Sequence, residues 1–127
     1  MPKQLIKPAH GPPPGGAYSP GLRAGDFVFV SGQGPIEPST GQVVGETIEE
    51  QTARTLENVK LILEAAGATM ADVVKATVIL SDMSLFPRYN AVYASYFPDP
   101  KPARTTSASD LLGRLVEIDV IAYVGDR

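Results

Sequence analysis

Four short stretches of this chain carry residue types able to do chemistry. Arg104, in Pro102-Ala103-Arg104-Thr105, follows a proline-rich turn and enters a β-rich run. Rigid backbone before it fixes one end of the side chain, and its planar fork can take a carboxylate through two parallel hydrogen bonds. The same residue would also serve as one half of a screened surface ion pair. Glu117 and Asp119 stand two apart in an alternating run, which puts them on one strand face roughly 6–7 Å apart. A carboxylate there can orient or deprotonate water, or form part of a polar patch at an interface. Tyr18-Ser19 follows Gly15-Gly16-Ala17; glycines let backbone come close to a ligand, and the phenol can donate to it or pack over it. A loop tyrosine capping the core is the alternative. Ser31-Gly32-Gln33 ends a β-rich run without the Gly-x-Ser-x-Gly frame of a nucleophile elbow, so a serine hydrolase is a poor reading.

Composition removes several other chemistries. With no cysteine, disulfides, thiolate nucleophiles and Cys-ligated zinc are absent. The single histidine, His10, lies in a Pro/Gly-rich stretch and reads best as an exposed loop residue, which leaves imidazole-dependent dyads and triads without a good base. A net charge of −3 argues against a dedicated nucleic-acid binder, which normally carries a basic excess on one face, yet allows a small basic pocket for an anionic metabolite. There is no P-loop or dinucleotide fingerprint. No apolar run approaches the ~20 residues that span a bilayer, and the two lysines near the start precede no signal-peptide core. A cytoplasmic protein without membrane contact is expected.

The 127 residues fit a single domain, with residues 1–16 as an extended Pro/Gly-rich segment in which Pro12 to Pro14 hold the chain extended. Residues 3–6 read as a short strand, and Phe27 to Ser31 as a strand buried on both faces. Ser39-Thr40-Gly41 reads as a hairpin turn before Gln42 to Val44. Thr47-Ile48-Glu49-Glu50 has capping-box spacing; Thr52, Thr55, Leu56, Val59, Ile62, Leu63 and Ala66 follow on one helical face, and Gly67 is placed to end that helix. Val73 to Leu80 is a β-branched central strand. A second helix runs from about Leu85 to Phe97, with Pro87 tolerated in its first turn and Phe86, Tyr89, Tyr93, Tyr96 and Phe97 as an aromatic stripe better suited to core than to a ligand platform. Arg104 to Ser109 and Leu115 to Val124 are the last strands. In the final one Val116, Ile118, Val120, Ala122 and Val124 face helices, while Leu115, Glu117, Asp119, Ile121 and Tyr123 form a mixed face, neither core nor plain surface. Such a face fits a sheet covered by another subunit with pockets left between. The element order indicates an α+β sandwich with both helices on one side.

Taken in order, Tyr18-Ser19, Ser31-Gly32-Gln33, Thr40-Gly41, Gln51 with Asn58, Ala65-Ala66-Gly67, Lys75-Ala76-Thr77-Val78, Asn90 with Tyr93, Pro102-Ala103-Arg104 and Val116-Glu117-Ile118 resemble the Rid (reactive intermediate deaminase, YjgF) family from Tyr18 to Val124. The resemblance implies a chorismate-mutase-like α+β fold, a mixed sheet with two helices packed on one face, assembled as a homotrimer with a central barrel and a site in each cleft between subunits. It implies hydrolysis of 2-imino or enamine acids, such as 2-iminobutanoate and 2-iminopropanoate, to 2-oxo acids and ammonia, with no metal or cofactor. Residue by residue, Arg104 matches the arginine that clamps the substrate carboxylate and Glu117 the acid that positions the attacking water. Tyr18, Ser31 and Asn90 match pocket residues, and Thr106 a position that contributes its backbone. Two positions depart from the pattern: Pro20 where many such deaminases have Gln, and Thr106 where Cys is frequent. A related enamine or aminoacrylate hydrolase and a non-catalytic ligand-sensing trimer are the other readings the resemblance allows.

Overall fold

The structure, a computed structural model, describes residues 2–125. Its elements in chain order are β1 (Gln4–Ile6), β2 (Gly21–Ala24), β3 (Phe27–Gln33), α1 (Ile48–Ala65), β4 (Val73–Leu80), α2 (Phe86–Tyr96), β5 (Ala103–Ala108) and β6 (Val116–Tyr123). The strands form one mixed sheet in the order β1-β2-β3-β6-β4-β5, in which only the β4–β5 pair is parallel. The expected α+β class, with two helices on one sheet face, is what forms.

Local chemistry accounts for the helix ends. Thr47 Oγ1 accepts from Glu50 N at 3.2 Å and Glu50 Oε1 accepts from Thr47 N at 3.2 Å, the reciprocal box read in the sequence. Gly67, at φ +77, terminates α1 in the left-handed region that glycine enters without steric cost. Leu56, Val59, Ile62 and Leu63 of α1, with Tyr89 and Tyr93 of α2, bury against Val28, Val30, Ala76, Val78, Leu80, Val116, Ile118 and Val120 of the sheet. This burial is the main stabilising contribution, about 1.5–3 kcal/mol for each large apolar side chain fully buried. Arg88 adds a bidentate pair to Glu49 across the two helices, with Nε–Oε2 at 2.9 Å and Nη2–Oε1 at 2.7 Å; both partners are exposed, so its contribution is small.

Two sequence readings are corrected. β3 is buried on one face only: Val28 and Val30 are 0% and 3% exposed, but Phe27 and Phe29 are 40% and 42% exposed, because the helices cover a single side of the sheet. The hairpin turn read at Ser39-Thr40-Gly41 does form: Ile36 bridges Val43, Glu37 N donates to Gln42 O at 2.8 Å and Val44 N to Pro35 O at 2.8 Å. β2 was not read at all. It exists because Gly25 (φ +58) and Asp26 make a two-residue hairpin that pairs Ala24 with Phe27, and Gly-Asp directly before a β-rich run was the signal for it.

The uncovered sheet face carries Phe27, Phe29, Ile121 and Tyr123, with Phe27 and Tyr123 in edge contact at 5.4 Å. No helix among the described residues is long and apolar enough to cross a membrane.

Candidate functional site

Strand register divides the candidate residues into two groups. Arg104 and Thr106 of β5 lie beside Ala76 and Val78 of β4, whose side chains are buried on the helix face. Glu117 and Asp119 of β6 lie beside Ile79 and Thr77, which alternation puts on the opposite, open face. Arg104, Asn90 and Thr106 are therefore brought together at one sheet edge; Glu117, Ser31 and Tyr18 come together elsewhere. Within one chain the two groups do not meet.

At the edge, α2 supplies a bed for the guanidinium. Arg104 lies over the rings of Phe86, Tyr89 and Tyr93, with its Cζ 4.7 Å from the Tyr93 centroid, an arrangement in which ring quadrupoles favour the cation. Arg104 Nη1 donates to Asn90 Oδ1 at 2.7 Å and to Tyr89 Oη at 3.2 Å. Its Nε and Nη2 carry no hydrogen bond among the described residues, leaving one complete side of the fork open. A cavity of about 380 Å³ adjoins it, lined by Asn90, Tyr93, Ala94, Lys101, Pro102 and Arg104. Burial pushes the Tyr93 phenol up to about 12, the neighbouring Tyr89 adding to the rise and Arg104 opposing it. The Tyr89 phenol is likewise raised by burial. Both therefore stay neutral beside the arginine and do not neutralise it. The Thr106 hydroxyl is buried beside Tyr89 and makes no well-formed hydrogen bond. As the sheet's last strand, β5 keeps one backbone edge unpaired. The aromatic stripe thus does two things: it is core, as read, and it is also the platform beneath Arg104.

On the open face, a cavity of about 570 Å³ is lined by Tyr18, Ser31, Gly32, Arg114, Glu117 and Asp119, among others. A register shift between Val30 and Gln33 leaves Ser31 and Gly32 in a bulge, the kind of irregularity that re-aims side chains at sites. Ser31 Oγ donates to Ser19 O at 2.6 Å, and Ser31 N to Pro20 O at 3.0 Å, fixing the loop that carries Tyr18. Tyr18 is 48% exposed and its hydroxyl accepts from Gly15 N at 3.0 Å; it does not cap the core. Glu117 lies over Gly32, where an added Cβ would stand 2.7 Å from Oε2. Its carboxylate accepts no hydrogen bond among the described residues, and Arg114 Nη2 is 3.8 Å from Oε1. Burial raises the carboxyl of Asp119, with Lys75 opposing the rise.

His10 is exposed and borders a separate cavity with Glu37 and Arg54 that shares no lining residue with either group. Sequence reading missed Arg114 because the Asp110 to Arg114 segment looked like a plain connection. Gln51 and Asn58 have structural tasks: buried Asn58 Nδ2 donates to Gly34 O and Ile36 O at 3.0 and 2.8 Å, and Gln51 Oε1 accepts from Leu115 N at 2.9 Å. They tether the loops around Glu117 to α1.

Residues 9–124 match the family model described as Endoribonuclease L-PSP. A RutC family protein of Pyrococcus horikoshii is 47% identical over 123 residues, covering 95% of this chain and 98% of that protein. Reactive Intermediate Deaminase A of the Arabidopsis thaliana chloroplast is 40% identical, over 94% of this chain and 65% of its own length. The crystal structure of the YjgF gene product of E. coli superposes with a TM-score of 0.88 at 34% identity, covering 94% of this chain and 98% of that one. With family model, sequence and fold in agreement over nearly the whole length, this chain belongs to the Rid (YjgF) family.

Proposed function

We propose that this protein hydrolyses 2-imino acids, 2-iminobutanoate and 2-iminopropanoate among them, to 2-oxo acids and ammonia, in clefts formed where the Arg104 edge of one copy meets the Glu117 face of another. The observation that carries this reading is the open side of the Arg104 fork, held by Asn90 and three aromatic rings with Nε and Nη2 free. That geometry suits a bidentate carboxylate, and the outer edge of β5, the last strand of the sheet, runs beside it.

With the carboxylate clamped, C2 of the protonated imine faces Glu117. Water held by the Glu117 carboxylate attacks C2; the new O–C2 bond forms as the C=N π pair moves to nitrogen and the water proton passes to Glu117. The carbinolamine then collapses: nitrogen takes the proton back from Glu117 and leaves as ammonia while the hydroxyl proton passes to the freed carboxylate and on to solvent, giving the C2 carbonyl. No redox change occurs. An iminium carbon is already electrophilic, so orientation supplies much of the acceleration, and Tyr18 and Ser31 serve as walls and hydrogen-bonding groups around it. The homotrimer implied by the sequence resemblance closes three such clefts, and the apolar open face, with Phe27, Phe29 and Tyr123 each 40–43% exposed, supports an assembly that covers it.

RNA cleavage, which the family description names, is less well supported: the only histidine borders another cavity, and the net charge is −3. The test is a coupled assay in which purified protein is added to a threonine dehydratase reaction with semicarbazide as the trap for free imine. Faster 2-oxobutanoate release and less semicarbazone, in proportion to added protein, are expected. Release and trapping that do not respond to protein concentration would refute the activity.

A further inference from the structure

The mouth of the Glu117 cavity holds a second arginine, and the turn that carries it is built with unusual care. Leu111 is buried and anchors the turn. Leu112 follows at φ +56 and Gly113 at φ +92; left-handed backbone is uncommon for a bulky non-glycine residue. Asp110 Oδ1 accepts from Leu112 N at 2.9 Å, and Arg114 N donates to Leu111 O at 3.3 Å. Beyond the turn, Gln51 fixes Leu115 N and reaches Gly45 O at 3.0 Å through its own amide.

The Arg114 side chain is restrained along its length. Nε donates to Leu111 O at 3.0 Å. The stem crosses Gly34, where an added Cβ would lie 3.2 Å from Cδ and 3.1 Å from Nη1. Only the end of the fork is left to act, and it faces Glu117 at 3.8 Å, with the two side chains 28% and 29% exposed. Among the groups lining the cavity, Ser31, Gly32 and Tyr18 bring no charge, and Asp119 shares the strand face of Glu117. Arg114 is the cation within 4 Å of Glu117, whereas the Lys75 ammonium donates to Ala76 O and Thr77 Oγ1. The carboxylate of a bound 2-imino acid has Arg104.

We propose that Arg114 is a positioning residue for Glu117, holding its carboxylate toward the attacking water and balancing its charge once the cleft closes around an anionic substrate. The proposal rests on the reading of Glu117 as the residue that handles water. An exposed ion pair contributes little, but one in a cleft that loses its water is attracted more strongly, and this arginine loses little further freedom on pairing.

Steady-state rates on 2-iminobutanoate, calorimetric titration with 2-oxobutanoate and 13C spectra of the glutamate side-chain carboxyls test it in Arg114→Gln, Arg114→Lys and Gly34→Ala. The Glu117 resonance is assigned by its loss in Glu117→Gln. Arg114→Gln should lower kcat about tenfold with KM and 2-oxobutanoate affinity nearly unchanged, and Arg114→Lys should recover part of the loss. In the spectra, Glu117 should move toward the exposed glutamates in Arg114→Gln and shift in Gly34→Ala, where the arginine is pushed aside without being removed. Wild-type kcat in Arg114→Gln, or a Glu117 resonance that does not move in any of the three variants, would overturn the proposal. Should the wild-type protein leave the imine untouched, the hydrolase reading falls, and the carboxyl resonance alone decides whether Arg114 holds Glu117.

Discussion

The Arg104 edge and the Glu117 face differ in how far a single chain finishes them. At the edge, two hydrogen bonds and three rings hold the guanidinium, and only the side needed for a carboxylate is open. On the face, Glu117 has a bulge beneath it and one arginine at 3.8 Å, with exposed Phe27, Phe29 and Tyr123 on the same side of the sheet. The difference shows what folding alone achieves here. The arginine half is prearranged by core packing, whereas the glutamate half stays open to water within one chain. Water excluded by a second copy is what would make the carboxylate act at full strength.

Substitution at the two centres should break the comparison most sharply. Arg104→Lys keeps the charge but loses the fork; catalysis should fall by on the order of 10²-fold or more, and calorimetry should show weakened 2-oxobutanoate binding. Glu117→Gln should lose rate to a similar degree while keeping most analogue affinity, because only the base is gone. Equal losses of rate and binding in both would erase the division of labour.

Ile121→Asp asks whether the open face is covered. Ile121 lies between Phe29 and Lys75, and an unpaired charge in an apolar interface is strongly destabilising. The expected result, by light scattering coupled to gel filtration, is a fall from trimer to monomer, with activity lost and circular dichroism unchanged. Gly32→Ala is subtler. Its Cβ would meet Glu117 Oε2 at 2.7 Å, so the carboxylate must swing away; kcat should drop about tenfold with analogue affinity preserved.

Asp119→Asn should have the smallest effect. Burial holds the Asp119 carboxyl above its ordinary value, so the folded chain binds that proton more tightly than the unfolded one. Stability should therefore decline as pH rises from the ordinary carboxylate value through the raised one. The amide removes that decline: thermal melts should show a slightly higher Tm at neutral pH and none of this pH dependence. A Tm that falls would mean the charge itself is needed, through Lys75.

Much of this was legible in the sequence where a local rule dictates the outcome. Thr47 and Glu50 cap α1, Gly67 ends it, and the alternation of Val116 to Val124 shows two unlike faces before any partner strand is known. Arg104 and Glu117 stood out through their motifs. Their separation to opposite sides of the sheet could not be read, because it follows from the register in which β4 sets Arg104 beside Ala76 and Glu117 beside Ile79, a pairing that no local pattern specifies. β3 misled for a related reason: a run of Phe and Val looks buried throughout, yet Phe27 and Phe29 lie on the face that no helix covers. Arg114 was hidden in the five residues Asp110 to Arg114, whose conformation is set by the burial of Leu111 and by Gln51 and Gly34 from elsewhere in the fold.

The central claim is that one site takes Arg104 from one copy and Glu117 from another. Co-expressing Arg104→Lys and Glu117→Gln chains under separate tags, and purifying the mixed assemblies, tests it directly. In a cyclic trimer with heterologous interfaces, every mixed assembly, whether 2:1 or 1:2, regenerates both native residues in one of its three clefts. Imine hydrolysis should then return to about a third of the wild-type rate per chain, although each parent assembly is nearly inactive. Mixed assemblies no more active than the parents would place both residues' work within one chain and contradict the account.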